Sequence, residues 1–237
     1  IELLAKLASG DARVALDTVG FIAENTEIKG TVTKETVAEA MQRKIGFYDK
    51  GDDQYNLLSA LQKSIRGSDP DAAIHYFARL IDGGADIKVI ARRLLVIASE
   101  DIGMAYPSAV SIVNSCVQAA MTVGLPEAAI NLSQAVILMA AAPKSNSAIA
   151  AYSKAMEDIK NNVIDDVPLH LKDSHYEGAK KMGIGLTYKY PHDYGGYVCQ
   201  QYLPDNLYKK GVKYYNPTEN GSESSFKKYL ESLNKRK

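Results

Sequence analysis

Leu125-Pro126-Glu127-Ala128-Ala129-Ile130-Asn131-Leu132-Ser133-Gln134-Ala135-Val136-Ile137-Leu138-Met139-Ala140-Ala141-Ala142 is apolar almost all the way round a helix: Ile130, Leu132, Val136, Ile137, Leu138 and Met139 leave no wide polar face. The stretch from Val110 to Val123 reads the same way. A helix without a polar side must be covered on more than one side. It either runs through the middle of a helical bundle or gives one face to a subunit interface, and a bundle of this size needs a central element. Neither stretch holds the unbroken run of roughly 18 apolar residues that a membrane span requires.

Working outward, cap signals cut the chain into short helices. Gly67-Ser68-Asp69-Pro70 ends one helix and starts the next, with Pro70 tolerated in a first turn. Gly83-Gly84 ends that helix and Asp86 caps its successor, whose stripe Ile87, Ile90, Ala91, Leu94, Ile97 and Ala98 closes at Gly103. Pro107 and Pro126 stand near helix starts, and Pro143 stops a helix before Ser145 or Asn146 caps another. The connections are short, so neighbours should pack antiparallel in an all-α bundle.

Upstream, Ile1 to about Gly46 reads as three short helices. Asp11 caps the second, on which Ala12, Ala15, Leu16, Val19, Ile22 and Ala23 recur at helical spacing, and Thr33 caps the third. The polar run from Asp49 to Asp53 marks a boundary, giving domains 1–48 and 49–237. From about Asp165 helical periodicity weakens and Gly, Pro and Tyr take over, leaving a short helix from Tyr176 to Met182. A last amphipathic helix, capped by Ser222, puts Phe226, Tyr229, Leu230 and Leu233 on one face.

The 237 residues carry 28 basic and 28 acidic side chains, so no overall charge draws the chain to nucleic acid and any such binding must be local. Cys116 and Cys199 fit neither a disulfide framework nor a zinc site, which points to a reducing compartment. The opening at Ile1 reads as the middle of a helix, and the chain as a soluble cytoplasmic piece of something longer.

Several motifs, taken in order, resemble one family. They are Ser9-Gly10-Asp11-Ala12-Arg13, Ser64-Ile65-Arg66-Gly67-Ser68-Asp69-Pro70, Ala91-Arg92-Arg93-Leu94, Ala98-Ser99-Glu100-Asp101-Ile102-Gly103, Ala142-Pro143-Lys144-Ser145-Asn146, Val167-Pro168-Leu169-His170-Leu171 and Tyr188-Lys189-Tyr190-Pro191-His192-Asp193. Together they resemble the bacterial replication-associated recombination AAA+ ATPases (RarA, also called MgsA), whose eukaryotic relatives include the Werner-helicase-interacting ATPase. The resemblance implies a small three-helix AAA+ lid over 1–48. It also implies a helical oligomerisation domain over 49–237, similar to a clamp-loader collar, with an irregular Tyr-rich end. The ATPase core would come before both. This chain contains no Gly-x-x-x-x-Gly-Lys-Ser/Thr sequence, so ATP and Mg belong to the full-length parent and the chain by itself should not hydrolyse ATP. Implied partners are further copies of the chain (a tetramer), DNA with single-stranded regions, and replication or single-strand-binding proteins. The implied setting is the cytoplasm, near the nucleoid, in replication, recombination and repair at stalled forks.

Arg13 is the sharpest candidate. It lies in a first helical turn, where the macrodipole disfavours a cation by a few tenths of a kcal/mol, so a nearby anion would make sense of it. The alternative is an exposed arginine paired with Asp11 or Asp17. The resemblance implies a sensor 2-like role, reaching from the lid to the γ-phosphate of ATP on the core, a task that suits a bidentate guanidinium.

Glu100 and Asp101 are adjacent, so on a helix they point about 100° apart and do not converge as an acid–base pair. Asp101 continues the apolar stripe and is expected to accept backbone N–H groups from the helix near Pro107. Lys144 lies where a helix N-terminus could hold an anion, although a tight turn explains the same residues. His170, His175 and His192 lack ligand spacing for a metal. Tyr and Lys interleave around Lys189 and around Lys209, Lys210 and Lys213, as single-stranded nucleic acid binding would use; buried Tyr rings in an irregular wrap are the commoner outcome. The tail Lys235-Arg236-Lys237 carries the same two readings. The rival functions are a free-standing DNA-binding or adaptor module built on that Tyr/Lys surface, and a helical enzyme with a polar pocket around Glu100, Asp101 and Lys144.

Overall fold

A computed structural model describes residues 2, 16, 18–20, 22–23, 30–40, 52–175, 178 and 182–234. The described residues are helical and irregular, with no strand among them. The helices are α1 (Lys34–Ala40), α2 (Asp52–Arg66), α3 (Pro70–Asp82), α4 (Ile87–Ile97), α5 (Ala109–Val123), α6 (Ala128–Ala141), α7 (Ser147–Asn161), α8 (Asp205–Lys209) and α9 (Glu223–Asn234). The all-α expectation holds.

The apolar run that opened the sequence forms α6, and it is the centre. α5, α3 and α2 pack against it, and α4 touches it over a smaller area. Leu132, Val136 and Met139 are fully buried there, each stabilising the bundle by roughly 1.5–3 kcal/mol through apolar burial. Leu61 and Ile65 of α2, Leu80 of α3 and Ile90, Leu94 and Ile97 of α4 complete the same core. One strip of α6 is uncovered, with Ile130 at 72% and Ile137 at 48% exposure. The central-helix reading therefore holds for the faces that carry Leu132, Val136 and Met139.

Three of the expected caps are formed. Thr33 Oγ1 accepts Thr36 N–H at 3.2 Å, Asp69 Oδ1 accepts Ala72 N–H at 2.9 Å and Asp86 Oδ1 accepts Lys88 N–H at 2.8 Å. Between α2 and α3 the left-handed residue is Ser68 (φ 59°) and not Gly67. After α4 the chain widens into a π turn, Ala98–Ile102, and then a 3-10 turn, Gly103–Ala105. Gly103 has φ 46°, and a Cβ there would lie 2.7 Å from the Ser145 carbonyl oxygen, so both conformation and space demand glycine.

Three expectations are corrected. α5 is not apolar all round: Ser111, Asn114, Ser115, Gln118 and Thr122 face solvent. Ser115 and Thr122 turn their hydroxyls to the carbonyls of Ser111 and Gln118, which lets small polar residues pass for apolar ones in a helical pattern. In the first segment, helical at 16, 18–20 and 22–23, Thr18 and Ile22 face inward while Leu16 and Val19 are exposed. Residues two apart on a helix point to nearly opposite sides, so burying the Thr18–Ile22 face turns Leu16 out and leaves Val19 on its flank. The third correction concerns Asp101 and is given with its site. The Asp11 cap, the Asp49–Gly51 part of the boundary and most of the helix read over Tyr176–Met182 lie outside the described residues.

The carboxy-terminal third is irregular, as read. Side chains substitute for ladders here: Asn206 Nδ2 donates to Val163 O at 2.7 Å, and Gln200 brackets the Lys189 backbone through both N–H and C=O.

Candidate functional site

The ends of α2, the π turn, the α6–α7 turn and residues 218–220 enclose a cleft of about 400 Å³, lined by Arg66, Asp101, Lys144, Ser145, Thr218 and Asn220 among others. Glu100 also lines it, so the polar pocket expected of an enzyme reading does exist. Its chemistry depends on whether those charges are free.

They are not. Asp101, only 5% exposed, accepts Arg66 Nε at 2.5 Å, Arg66 Nη2 at 3.4 Å and Gln62 Nε2 at 3.2 Å. The bond to Asp101 raises the Arg66 pKa above its ordinary value. Glu100 Oε1 takes Arg66 Nη2 at 3.1 Å, and Gln62 Oε1 takes Arg93 Nη1 at 3.3 Å. The Asp101 carboxylate therefore grips α2, not the start of the helix near Pro107. Only its backbone oxygen reaches a turn, accepting Ser145 N–H at 2.9 Å. Glu100 and Asp101 do converge after all, on a guanidinium, because a forked cation can meet two side chains pointing apart.

Lys144 is equally committed. Its three ammonium protons go to Ser68 Oγ at 2.9 Å, Ala140 O at 3.0 Å and Ala142 O at 2.5 Å. Burial lowers its pKa and nearby Asp101 opposes that. A cation on the last carbonyls of α6 complements the helix dipole. The turn reading holds, with Ser145 Oγ accepting Ser147 N–H at 3.2 Å, and Lys144 itself clips α6 to the α2–α3 turn.

A second cluster has almost no signature in the sequence. Glu223, the first residue of α9, is 0% exposed, and its carboxylate accepts hydroxyls from Ser147, Tyr215 at 2.9 Å and Thr218 at 2.6 Å. Burial alone would push this carboxyl up; the hydroxyls of Ser145, Ser147, Thr218 and Tyr215 outweigh it and bring the pKa to about 2. Burial and the facing carboxylate push the Tyr215 phenol up to about 12. An acidic residue beginning a helix is the sole local hint of this cluster. Beside it Gly221 (φ 51°) sits so close to Ala105 that a Cβ would lie 2.2 Å from that carbonyl oxygen.

Of the sequence candidates, Arg13 and the tail 235–237 lie outside the described residues. Lys209 is 3.9 Å from Asp205, Lys210 follows at the end of α8, and Lys213 offers its carbonyl to Lys154 Nζ at 2.9 Å. No hydrogen bond or ion pair among the described residues joins Lys189 to those three. Tyr188, Tyr190, Tyr194, Tyr202 and Tyr208 are exposed, not wrapped inside. His170 Nε2 contacts Gln201 O at 2.7 Å, and no three His, Cys, Asp or Glu side chains gather for a metal among the described residues.

The family model "AAA C-terminal domain" matches residues 1–66, and "MgsA AAA+ ATPase C terminal" matches residues 67–234. The replication-associated recombination protein A of Bacillus subtilis is 50% identical over 244 residues, covering 100% of this chain and 57% of that protein. The protein of the same name from Escherichia coli is 38% identical, over 93% of this chain and 50% of its own length. The "ATPase WRNIP1" of Dictyostelium discoideum is 34% identical over 91% of this chain and 27% of its own. The chain spans about half the length of the two bacterial relatives. With its family model matched from the turn after α2 to the end of α9, the chain belongs to the MgsA AAA+ ATPase C-terminal family.

Proposed function

We propose that the chain is the lid and assembly region of a AAA+ ATPase acting in DNA replication, recombination and repair at stalled forks. Residues 1–48 serve as lid and residues 49–237 as a clamp-loader-like oligomerisation domain. One observation carries the reading: the charged cleft is spent internally, while apolar surface on the central helix is left open at Ile130 and Ile137. A region whose ionic groups tie its own helices together, and whose apolar residues face out, is suited to holding subunits and not to chemistry. The names of the bacterial relatives, which speak of replication-associated recombination, supply the process.

In this reading Arg13 senses the γ-phosphate of ATP, and ATP and Mg are held by other parts of the full-length protein. The assembly is a tetramer acting on DNA with single-stranded regions in the cytoplasm, close to the nucleoid, beside replication or single-strand-binding proteins. No helix among the described residues is long and apolar enough to cross a membrane. Light scattering on the 237-residue chain tests the assembly claim: a multimer at micromolar concentration is expected, and a monomer overturns it.

A second reading, a single-stranded-DNA-binding or adaptor module, is favoured by the exposed Tyr188, Tyr190, Tyr202 and Tyr208 beside Lys189, Lys209, Lys210 and Lys213. Strong binding of an oligonucleotide by the chain alone, falling steeply with salt, would support it.

A further inference from the structure

Not every charge is spent as those of the cleft are. α4 carries Lys88, Arg92 and Arg93 and no acidic residue. In its motif Ala91-Arg92-Arg93-Leu94 the outer two residues belong to the core, Ala91 at 3% and Leu94 at 0% exposure. Packing accounts for those two and leaves the arginines unexplained. Both arginines line a groove of about 490 Å³ between α4 and α2, together with Leu58, Val89, Gln54 and Tyr55.

The cations of this groove lack an anion. Among the described residues, none of Lys88, Arg92 and Arg93 enters an ion pair. Arg93 Nη1 donates to the neutral Gln62 Oε1 at 3.3 Å, and Gln62 is held in turn by Asp101. That guanidinium is therefore aimed without being neutralised. Arg92 is exposed and has no hydrogen-bond partner among the described residues. Lys88 and Arg92 stand four residues apart, a like-charged pair that destabilises an isolated helix. No carboxylate lines the groove among the described residues. Asp52 and Asp53 hold other register positions of α2 than Gln54, Tyr55 and Leu58, which share one face.

The groove also offers a ring. Tyr55 is 72% exposed and makes no ring contact or hydrogen bond among the described residues. An open aromatic face beside two uncompensated guanidinium groups matches unpaired nucleotides, which present a base to the ring and phosphate oxygens to the arginines. A duplex keeps its bases stacked on one another, and an acidic peptide would pair with the arginines but give the ring nothing to stack on. The groove's volume falls within the roughly 300–1,000 Å³ of small-ligand pockets, room for a nucleotide.

We propose that the α2–α4 groove is a contact site for single-stranded nucleic acid, with Arg92 and Arg93 on phosphates and Tyr55 stacked on a base. The proposal rests on the proposed action on DNA with single-stranded regions. It gives that DNA a place built from other residues than Lys189, Lys209, Lys210 and Lys213.

Fluorescence anisotropy of a labelled oligothymidylate with the 237-residue chain, over a range of salt concentrations, is the test. Arg92→Ala removes an exposed side chain without a partner, so the melting temperature should stay that of the parent. It is expected to weaken binding and to reduce the slope of log affinity against log salt by about 0.7, one single-strand phosphate contact. Tyr55→Ala should weaken binding by about fivefold to a hundredfold with the slope unchanged, and Tyr55→Phe should bind like the parent because the ring does the stacking. If both alanine variants bind like the parent while alanine at Lys209, Lys210 and Lys213 abolishes binding, the groove is refuted and DNA binding stands on the other surface. A parent that binds no oligonucleotide at low salt overturns both the groove and the DNA-binding module, leaving assembly to its own test. If polyglutamate binds as tightly as the oligonucleotide and Tyr55→Ala has no effect on either, nucleic acid is overturned as the occupant.

Discussion

Replacing Glu223 by Gln removes a charge from a site with no solvent access and leaves nearly the same shape behind. The native carboxyl titrates at about 2 against an ordinary value of 4.5. A carboxyl with a depressed pKa contributes stability that is fully present above about 4.5 and is lost as pH falls through about 2. At about 1.4 kcal/mol for each unit, the charge is worth about 3 kcal/mol to the fold at neutral pH. The substituted side chain would also turn an amide donor toward hydroxyls that now donate, forcing some of them to rotate. Urea unfolding of parent and Glu223→Gln chains should therefore differ by about 3 kcal/mol at pH 7, and by about half of that at pH 3. The narrowing is the diagnostic part, because a packing defect would cost the same at both pH values. Equal stability at pH 7, or a gap that does not shrink on acidification, would refute the hydroxyl-stabilised carboxylate.

Three further outcomes follow from the same contacts. Asp101→Asn leaves Arg66 without its buried counter-charge and should destabilise the chain by about 1–3 kcal/mol in denaturant, toward the lower end because Arg66 is half exposed. An unchanged midpoint would mean that Asp101 holds nothing. Leu132→Ala, at a fully buried position on α6, should cost about 2–5 kcal/mol, and a loss below about 1 would remove α6 from the centre of the core. Gly103→Ala places a methyl 2.7 Å from the Ser145 oxygen on a left-handed backbone. The expected cost exceeds about 1 kcal/mol by thermal melting, and a neutral result would show that the α6–α7 turn can shift.

Helices, caps and the central role of α6 are legible because they depend on residues close together in sequence. Asp69 and Asp86 bond backbone three and two residues away, and the lack of a wide polar face on α6 is a local pattern. The departures share the opposite property. Local periodicity aims Asp101 at the helix nearest in sequence, yet its partners are 35 and 39 residues earlier. Glu223 meets Ser147 across 76 residues, and Lys144 meets Ser68 across another 76, separations at which periodicity carries no information. The polar face of α5 is hidden for a different reason, since serine, asparagine and threonine interrupt an apolar pattern without announcing a face. The residues of the cleft are legible in the sequence, but whether its charges are free or spent depends on those distant partners.

The two matched family models meet at Arg66 and Gly67, the last residue of α2 and the first of the turn behind it. That meeting point is no joint. Leu61 and Ile65 are at 0% exposure in the core shared with α3 and α6, Arg66 is bound to Asp101, and Ser68 receives Lys144. Mechanically α2 is a shaft keyed into its hub: it cannot rotate or slide without carrying the π turn and the α6–α7 turn with it. A torque applied at the Asp52 end would arrive at the base of α7, where α9 is also fastened, without being absorbed on the way.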